Sequence, residues 1–160
     1  MNEIICNDAL SALKNIDDNS VDIVLTSPPY NFDMQYDEHD DKDDALKYID
    51  TLVKIFYECN RTLKDGGRLI INIQPNYKDY FPSHHYLTTE LVKSGLIWRG
   101  EIVWLKNNLK KLTAWGSFKS PSCPYLNYPF EFIEVFSKKS IKHQGNKDDI
   151  DITKDEFIKY

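Results

Sequence analysis

Apolar and polar positions along the chain follow two rhythms. Ile4-Ile5-Cys6 is a short apolar run ending at Asn7-Asp8, and it reads as a strand entering a loop. Asp8 then suits the N-cap of a helix carrying Leu10, Leu13 and Ile16 at helical spacing. Residues 21–25 are a β-branched run with a single acid, the pattern of a strand buried on both faces, and it stops at Pro28-Pro29. From Asp44 to about Leu63 the apolar positions Leu46, Ile49, Leu52, Val53, Phe56 and Tyr57 keep to one helical face. Lys64-Asp65-Gly66-Gly67 supplies the stop of that helix. Residues 68–73 read as a second buried strand, 85–93 as a helix ending at Ser94-Gly95, and 96–105 and 130–136 as further strands. Strands alternating with helices predict an α/β fold whose sheet is parallel at its centre. A main folded part over residues 1–138 and a charged, loosely ordered tail over 139–160 are expected.

Composition narrows the picture. The 160 residues suit one domain, and 41% hydrophobic with 13% aromatic residues excludes a disordered chain. Three widely spaced cysteines without a CxxC pair predict neither a disulfide framework nor a zinc knuckle, and point to a reducing, cytoplasmic home. A net charge of −5 gives no overall basic field, so any contact with nucleic acid must be local. No uninterrupted apolar stretch nears the ~20 residues of a membrane span, and the N-terminus lacks the basic flank of a signal peptide. No metal site is expected. His84-His85 lacks a third ligand and reads as a surface pair, and residues 37–44, acidic but without EF-hand spacing, read as a solvated loop. Trp98 and Trp104, at strand spacing, read as core residues on one face.

The residues that carry chemistry are Thr26-Ser27-Pro28-Pro29-Tyr30-Asn31, at the carboxyl end of a buried strand, where open α/β sheets place ligands. Pro29 forces Pro28 to be extended, and both prolines fix φ, so the corner is stiff. Neither proline has an N–H. The Pro28 carbonyl and the Ser27 hydroxyl are two acceptors beside the aromatic face of Tyr30. Such a site suits an exocyclic amino group on a flat heterocycle. That amine is a poor nucleophile because its lone pair is delocalised into the ring. Accepting both of its hydrogens draws the nitrogen toward sp³ geometry and frees the lone pair, a form of preorganised electrostatic catalysis.

This segment resembles the catalytic motif of the amino DNA methyltransferases, which methylate cytosine N4 or adenine N6 with S-adenosylmethionine. Asn7-Asp8-Ala9-Leu10 with Asn19-Ser20-Val21-Asp22, Arg61-Thr62-Leu63-Lys64-Asp65-Gly66-Gly67 and Ile102-Val103-Trp104-Leu105-Lys106 resemble further stretches of the family, in order. So do Gly-Ser-Phe-Lys-Ser-Pro-Ser-Cys-Pro-Tyr at 116–125 and Pro129-Phe130-Glu131-Phe132-Ile133. Having the catalytic motif first is the order of the β group. The resemblance implies a Rossmann-like methyltransferase sheet with helices on both faces, and a site-specific enzyme of restriction–modification type acting on double-stranded DNA. It implies that Ser27 and the Pro28 carbonyl, set by Pro29, hold the target amine, and that Tyr30, with Asn31 beside it, stacks on a base flipped from the duplex. It also implies that Asp8 and Ala9, with Ser27 and Pro28, border the cofactor, while Ser117, Phe118 and the loop at 121–124 line the base pocket. Lys106 and Lys110 are candidates for DNA phosphates, or belong to an ordinary basic loop. Ser before Pro-Pro favours cytosine over adenine.

The family's Gly-rich cofactor turn has no counterpart among the six glycines. The sheet is therefore expected to be incomplete, with the cofactor loop supplied by a C-terminal segment or a second polypeptide. The competing reading is a truncated, inactive remnant that only binds nucleic acid or a partner. An RNA or small-molecule amine methyltransferase is a third reading, disfavoured by the matches beyond Tyr30.

Overall fold

The computed structural model of the chain describes residues 3–31, 43–76, 79–106, 129–143, 145 and 152–158. Its elements are α1 (Ala9–Leu13), β1 (Val21–Thr26), α2 (Ala45–Thr62), β2 (Leu63–Ile73), α3 (Ser83–Lys93), β3 (Leu96–Leu105), β4 (Phe130–Lys138) and α4 (Lys154–Ile158). The four strands form one sheet in the order β1-β2-β4-β3. This is an α/β architecture, as the pattern predicts.

Only β1 and β2 run parallel, joined by α2 as the crossover such a pair requires. The β2–β4 and β3–β4 pairs are antiparallel, so the expected parallel centre is corrected to a mixed one. β4 returns beside β3 and inserts between it and β2, which reverses direction across the middle of the sheet.

Helix α2 starts where Asp44 accepts the Leu46 and Lys47 amides on its carboxylate, satisfying donors that the first turn leaves open. Its inner face is Tyr48, Ile49, Leu52, Val53, Phe56 and Cys59. Leu46 and Tyr57, expected on that face, are exposed, because Tyr48 takes the inward position one turn into the helix. Along β2 alternate residues Leu69, Ile71 and Ile73 turn toward the helices and meet Leu87 and Leu91 of α3 in one core. Each such side chain contributes about 1.5–3 kcal/mol through burial. The opposite face carries Ile23, Leu25, Ile102 and Trp104, all exposed.

The N-terminal end of β1 and β2 is bound shut. The Arg61 guanidinium donates to the carbonyls of Leu13 and Ile16 and pairs with Glu58 and Asp18, fixing α1 against α2. The buried Lys138 ammonium donates to Asn19 Oδ1 and to the carbonyls of Arg61 and Leu63, using all three of its protons.

Three other expectations change. Ile4-Ile5-Cys6 is not a strand; Ile4 and Ile5 are exposed, and β1 is an edge with no described neighbour beyond it to pair with. β2 begins at Leu63, directly after α2, and not at Arg68. Gly66, at φ +83°, lets the chain make an irregular excursion before regular pairing resumes at Ile23 with Arg68. A register shift between Trp98 and Gly100 puts Trp98 and Trp104 on opposite faces, both half exposed, where unbroken alternation would have kept them together.

Candidate active site

β1 delivers its carboxyl end to the Ser27–Asn31 corner, and three neighbouring elements hold that corner. From the first turn of α2, the Tyr48 hydroxyl donates to the Pro29 carbonyl at 2.6 Å. The buried Asn31 sits at φ +61° and clasps the backbone of Asp43: its amide donates to the Asp43 carbonyl at 2.7 Å, and its oxygen accepts the Asp43 N–H at 2.8 Å. The left-handed conformation is one that Asn tolerates better than most residues. From the end of β2, the Asn76 side chain donates to the Asn31 carbonyl at 3.0 Å. The corner is thus braced on both sides, and no hydrogen bond to the Pro28 carbonyl occurs among the described residues. The Ser27 side chain is exposed.

Tyr30 is half buried. Its ring packs against the core, and its hydroxyl is the hub of a polar cluster on the side of the sheet away from α2 and α3. That hydroxyl donates to Glu131 Oε2 at 3.1 Å, accepts from Asn72 Nδ2 at 2.9 Å, and lies 2.9 Å from Ser27 Oγ. Asn72 also donates to Glu131 at 2.6 Å, and the Lys106 ammonium pairs with the same carboxylate. Burial would raise the Glu131 carboxyl, but hydrogen bonds from Lys106, Asn72 and Tyr30 outweigh it and hold the group below its ordinary value. Glu131 is therefore an anion at neutral pH and takes the single phenolic proton of Tyr30. The Ser27 hydroxyl must then give its own proton to the Tyr30 oxygen, which leaves the lone pairs of Ser27 facing outward as acceptors.

Of the residues singled out in the sequence, the fold brings Ser27, Pro28, Pro29, Tyr30 and Asn31 together, and adds Lys106 through Glu131. Lys106 also lies 6.0 Å from the Trp104 ring centroid. Asp8 is an N-cap: it accepts the Ser11 N–H at 2.9 Å, the contact that lowers its carboxyl, and it precedes the exposed Ala9 at the head of α1. The far end of α1 is tied by Arg61 to the closed end of the sheet. Lys110, Ser117, Phe118 and the loop at 121–124 lie outside the described residues, as does most of the acidic loop at 37–44. Asn72, Tyr48 and Asn76 were missed, and Glu131 was placed only in a family-like stretch, with no role. A polar Asn inside a β-branched run and a Glu between two phenylalanines were the available signals for Asn72 and Glu131.

Comparison with known proteins places the chain in a family. The DNA methylase family, of the N6/N4 type, matches residues 21–159, and the chain belongs to it. The chain is 36% identical over 143 residues to the type II methyltransferase M.MjaVI of Methanocaldococcus jannaschii, covering 88% of this chain and 73% of that one. Among solved structures it is similar in fold to TTHA0409 of Thermus thermophilus, a DNA modification methylase by name. That match has TM-score 0.67 and 24% identity, and covers 88% of this chain and 54% of that one. TTHA0409 has also been solved with S-adenosyl-L-methionine. The PvuII cytosine-N4-specific DNA methyltransferase matches at TM-score 0.63 and 18% identity, covering 84% of this chain and 48% of that one. The chain spans about half the length of these two solved proteins.

Proposed function

We propose that the protein is the catalytic portion of an S-adenosylmethionine-dependent DNA methyltransferase that acts on the exocyclic amino group of a flipped base, cytosine N4 in preference to adenine N6. It would work on double-stranded DNA in the cytoplasm, as the modification partner in a restriction system. The observation that carries this reading is the outward-facing Ser27 hydroxyl, oriented through Tyr30 by Glu131, next to a Pro28 carbonyl with no described partner. A base amine donating one hydrogen to each oxygen loses conjugation with its ring and becomes nucleophilic. The Tyr48 and Asn31 braces keep the two acceptors fixed, so no reorganisation is needed when the base arrives. Extrusion of the base is required because the amino nitrogen is out of reach inside the duplex.

S-adenosylmethionine supplies an electrophilic methyl group when bound. The described residues do not form a cradle for it. Gly66 and Gly67 pack against the backbones of Lys142 and Asp22, and Gly95 and Gly100 lie at the start of β3 and at its bulge. None follows the carboxyl end of a parallel strand, where a missing Cβ would let the cofactor approach. We assign its cradle to a further segment or a second polypeptide. Asp8 and Ala9 remain the candidates to border it.

The test is tritium transfer from labelled S-adenosylmethionine to DNA by the protein together with the cofactor-binding portion, followed by digestion to nucleosides. N4-methylcytosine is the expected product, and label in N6-methyladenine would reverse the choice of base. DNA binding without transfer would favour the binding remnant.

A further inference from the structure

The carboxyl end of β2 carries two primary amides on one face. Ile73 turns into the core, so alternation sends its neighbours Asn72 and Gln74 to the opposite face, the side of Tyr30 and Glu131. The pairing of β2 with β4 agrees. Ile73 lies opposite Phe132, which stacks on His84 of α3 at 4.2 Å and so marks the helix side. The next residues outward, Gln74 and Glu131, turn away from it. His84, read from the sequence as a surface residue, is 5% exposed there. We propose that Gln74 is a specificity-determining residue: its carboxamide donates to the ring edge of the extruded base, beside the amine that Ser27 and the Pro28 carbonyl hold. The proposal rests on the base-holding reading above and deepens it.

Three observations carry it. First, Gln74 is 7% exposed, yet its amide has no hydrogen-bond partner among the described residues. An amide is buried at a cost unless something bonds to it, so this one is set for a partner that arrives from outside. Asn72 is committed differently, since its amide nitrogen already donates to Tyr30 and Glu131. Second, the place fits. Ser27 Oγ is 2.9 Å from the Tyr30 oxygen, which is 2.9 Å from Asn72 Nδ2, so Asn72 stands level with the motif. Gln74 is two residues further toward the carboxyl end, about 7 Å along the strand, within the span of a base held by its amine at Ser27. Third, the ring edge needs a donor. Next to its amine a cytosine presents N3 and O2, two acceptors in a row. Ser27, the Pro28 carbonyl and Glu131 are acceptors, the two prolines have no N–H, and the Lys106 ammonium is paired with Glu131. The two amide hydrogens of Gln74 match N3 and O2. Adenine presents N1 and then a C–H, so the same amide would meet one acceptor.

The probe is a DNA hairpin with one unpaired cytosine. It is compared with the same hairpin carrying 3-deazacytosine there, where a C–H replaces N3, and with one that is abasic at that place. Binding of each to the full chain is measured. The cytosine hairpin should bind about tenfold tighter than the 3-deaza one. Gln74→Ala should erase that ratio. Gln74→Met, which keeps the side chain's length without its donor, should do the same and keeps the test open should the alanine variant misfold. A glutamine that only filled space would, when replaced, weaken both hairpins alike and preserve the ratio. Equal wild-type affinities for the cytosine and 3-deaza hairpins, or a ratio that survives both substitutions, would overturn the role of Gln74; the base-holding reading stands as long as cytosine binds tighter than the abasic site. Cytosine and abasic hairpins bound alike, or neither bound, would overturn the two together.

Discussion

Replacing Glu131 tests the central claim about how the motif is oriented. The carboxylate is 3% exposed and accepts from Tyr30 and Asn72 while pairing with Lys106. Stranding a fully buried charge typically costs about 3–5 kcal/mol. Here the Lys106 side chain is 30% exposed and can turn to water, and Tyr30 and Asn72 keep each other at 2.9 Å. What Glu131→Ala removes is chiefly two hydrogen bonds to a charged acceptor, so the net loss should be about 2–3 kcal/mol. Glu131→Gln keeps the shape and an acceptor oxygen and should cost about 1 kcal/mol. In urea at pH 7, with a slope of about 2 kcal/mol/M, the midpoints should fall by about 1–1.5 M and about 0.5 M respectively. The pH dependence has a definite sign. The folded carboxyl lies below its unfolded value of 4.5, so its stabilisation is complete above that pH and drains away as pH falls toward the folded value. The gap between wild type and Glu131→Gln should therefore close in acid. An alanine variant within about 0.5 kcal/mol of wild type, or a gap that persists in acid, would refute the ionised hub and with it the argument for Ser27's orientation.

Ser27→Ala and Tyr30→Ala in the complete enzyme should each lower methyl transfer by about 10²–10³, measured as tritium incorporated into DNA, because each removes part of a preorganised acceptor set. Glu134 is pushed up to about 7 by burial and by Glu101, so its favourable contribution is present below 4.5 and lost as pH rises to about 7. Glu134→Gln should flatten urea midpoints across that range, and an unchanged slope would contradict it. Gly66→Ala should lower stability by at least about 1 kcal/mol, read from thermal unfolding. The added Cβ must take φ +83° and meet the Lys142 carbonyl, so a neutral result would exclude that close approach.

The corner itself was legible because proline chemistry is local: Pro28-Pro29 after a β-branched run fixes a stiff turn whatever surrounds it. The sheet was legible as a set of strands but not as an arrangement. Nothing in residues 96–105 or 130–138 states that β4 inserts between β2 and β3, since insertion depends on which edge is free when the strands meet. The bulge near Gly100 likewise inverted the face assigned to Trp98. The roles of Glu131 and Asn72 escaped notice because their meaning is tertiary. Each looks like a misplaced polar residue until the strands align and bring them to a tyrosine 101 and 42 residues away.

The Lys138 and Arg61 contacts lie at the opposite end of the sheet from the Ser27 corner. That separation divides labour within the molecule. One end locks the framework with ionic staples, while the other carries the Ser27–Asn31 corner, held by the Tyr48, Asn31 and Asn76 hydrogen bonds. Changes at the corner can then be made without loosening the clamp that keeps the scaffold folded.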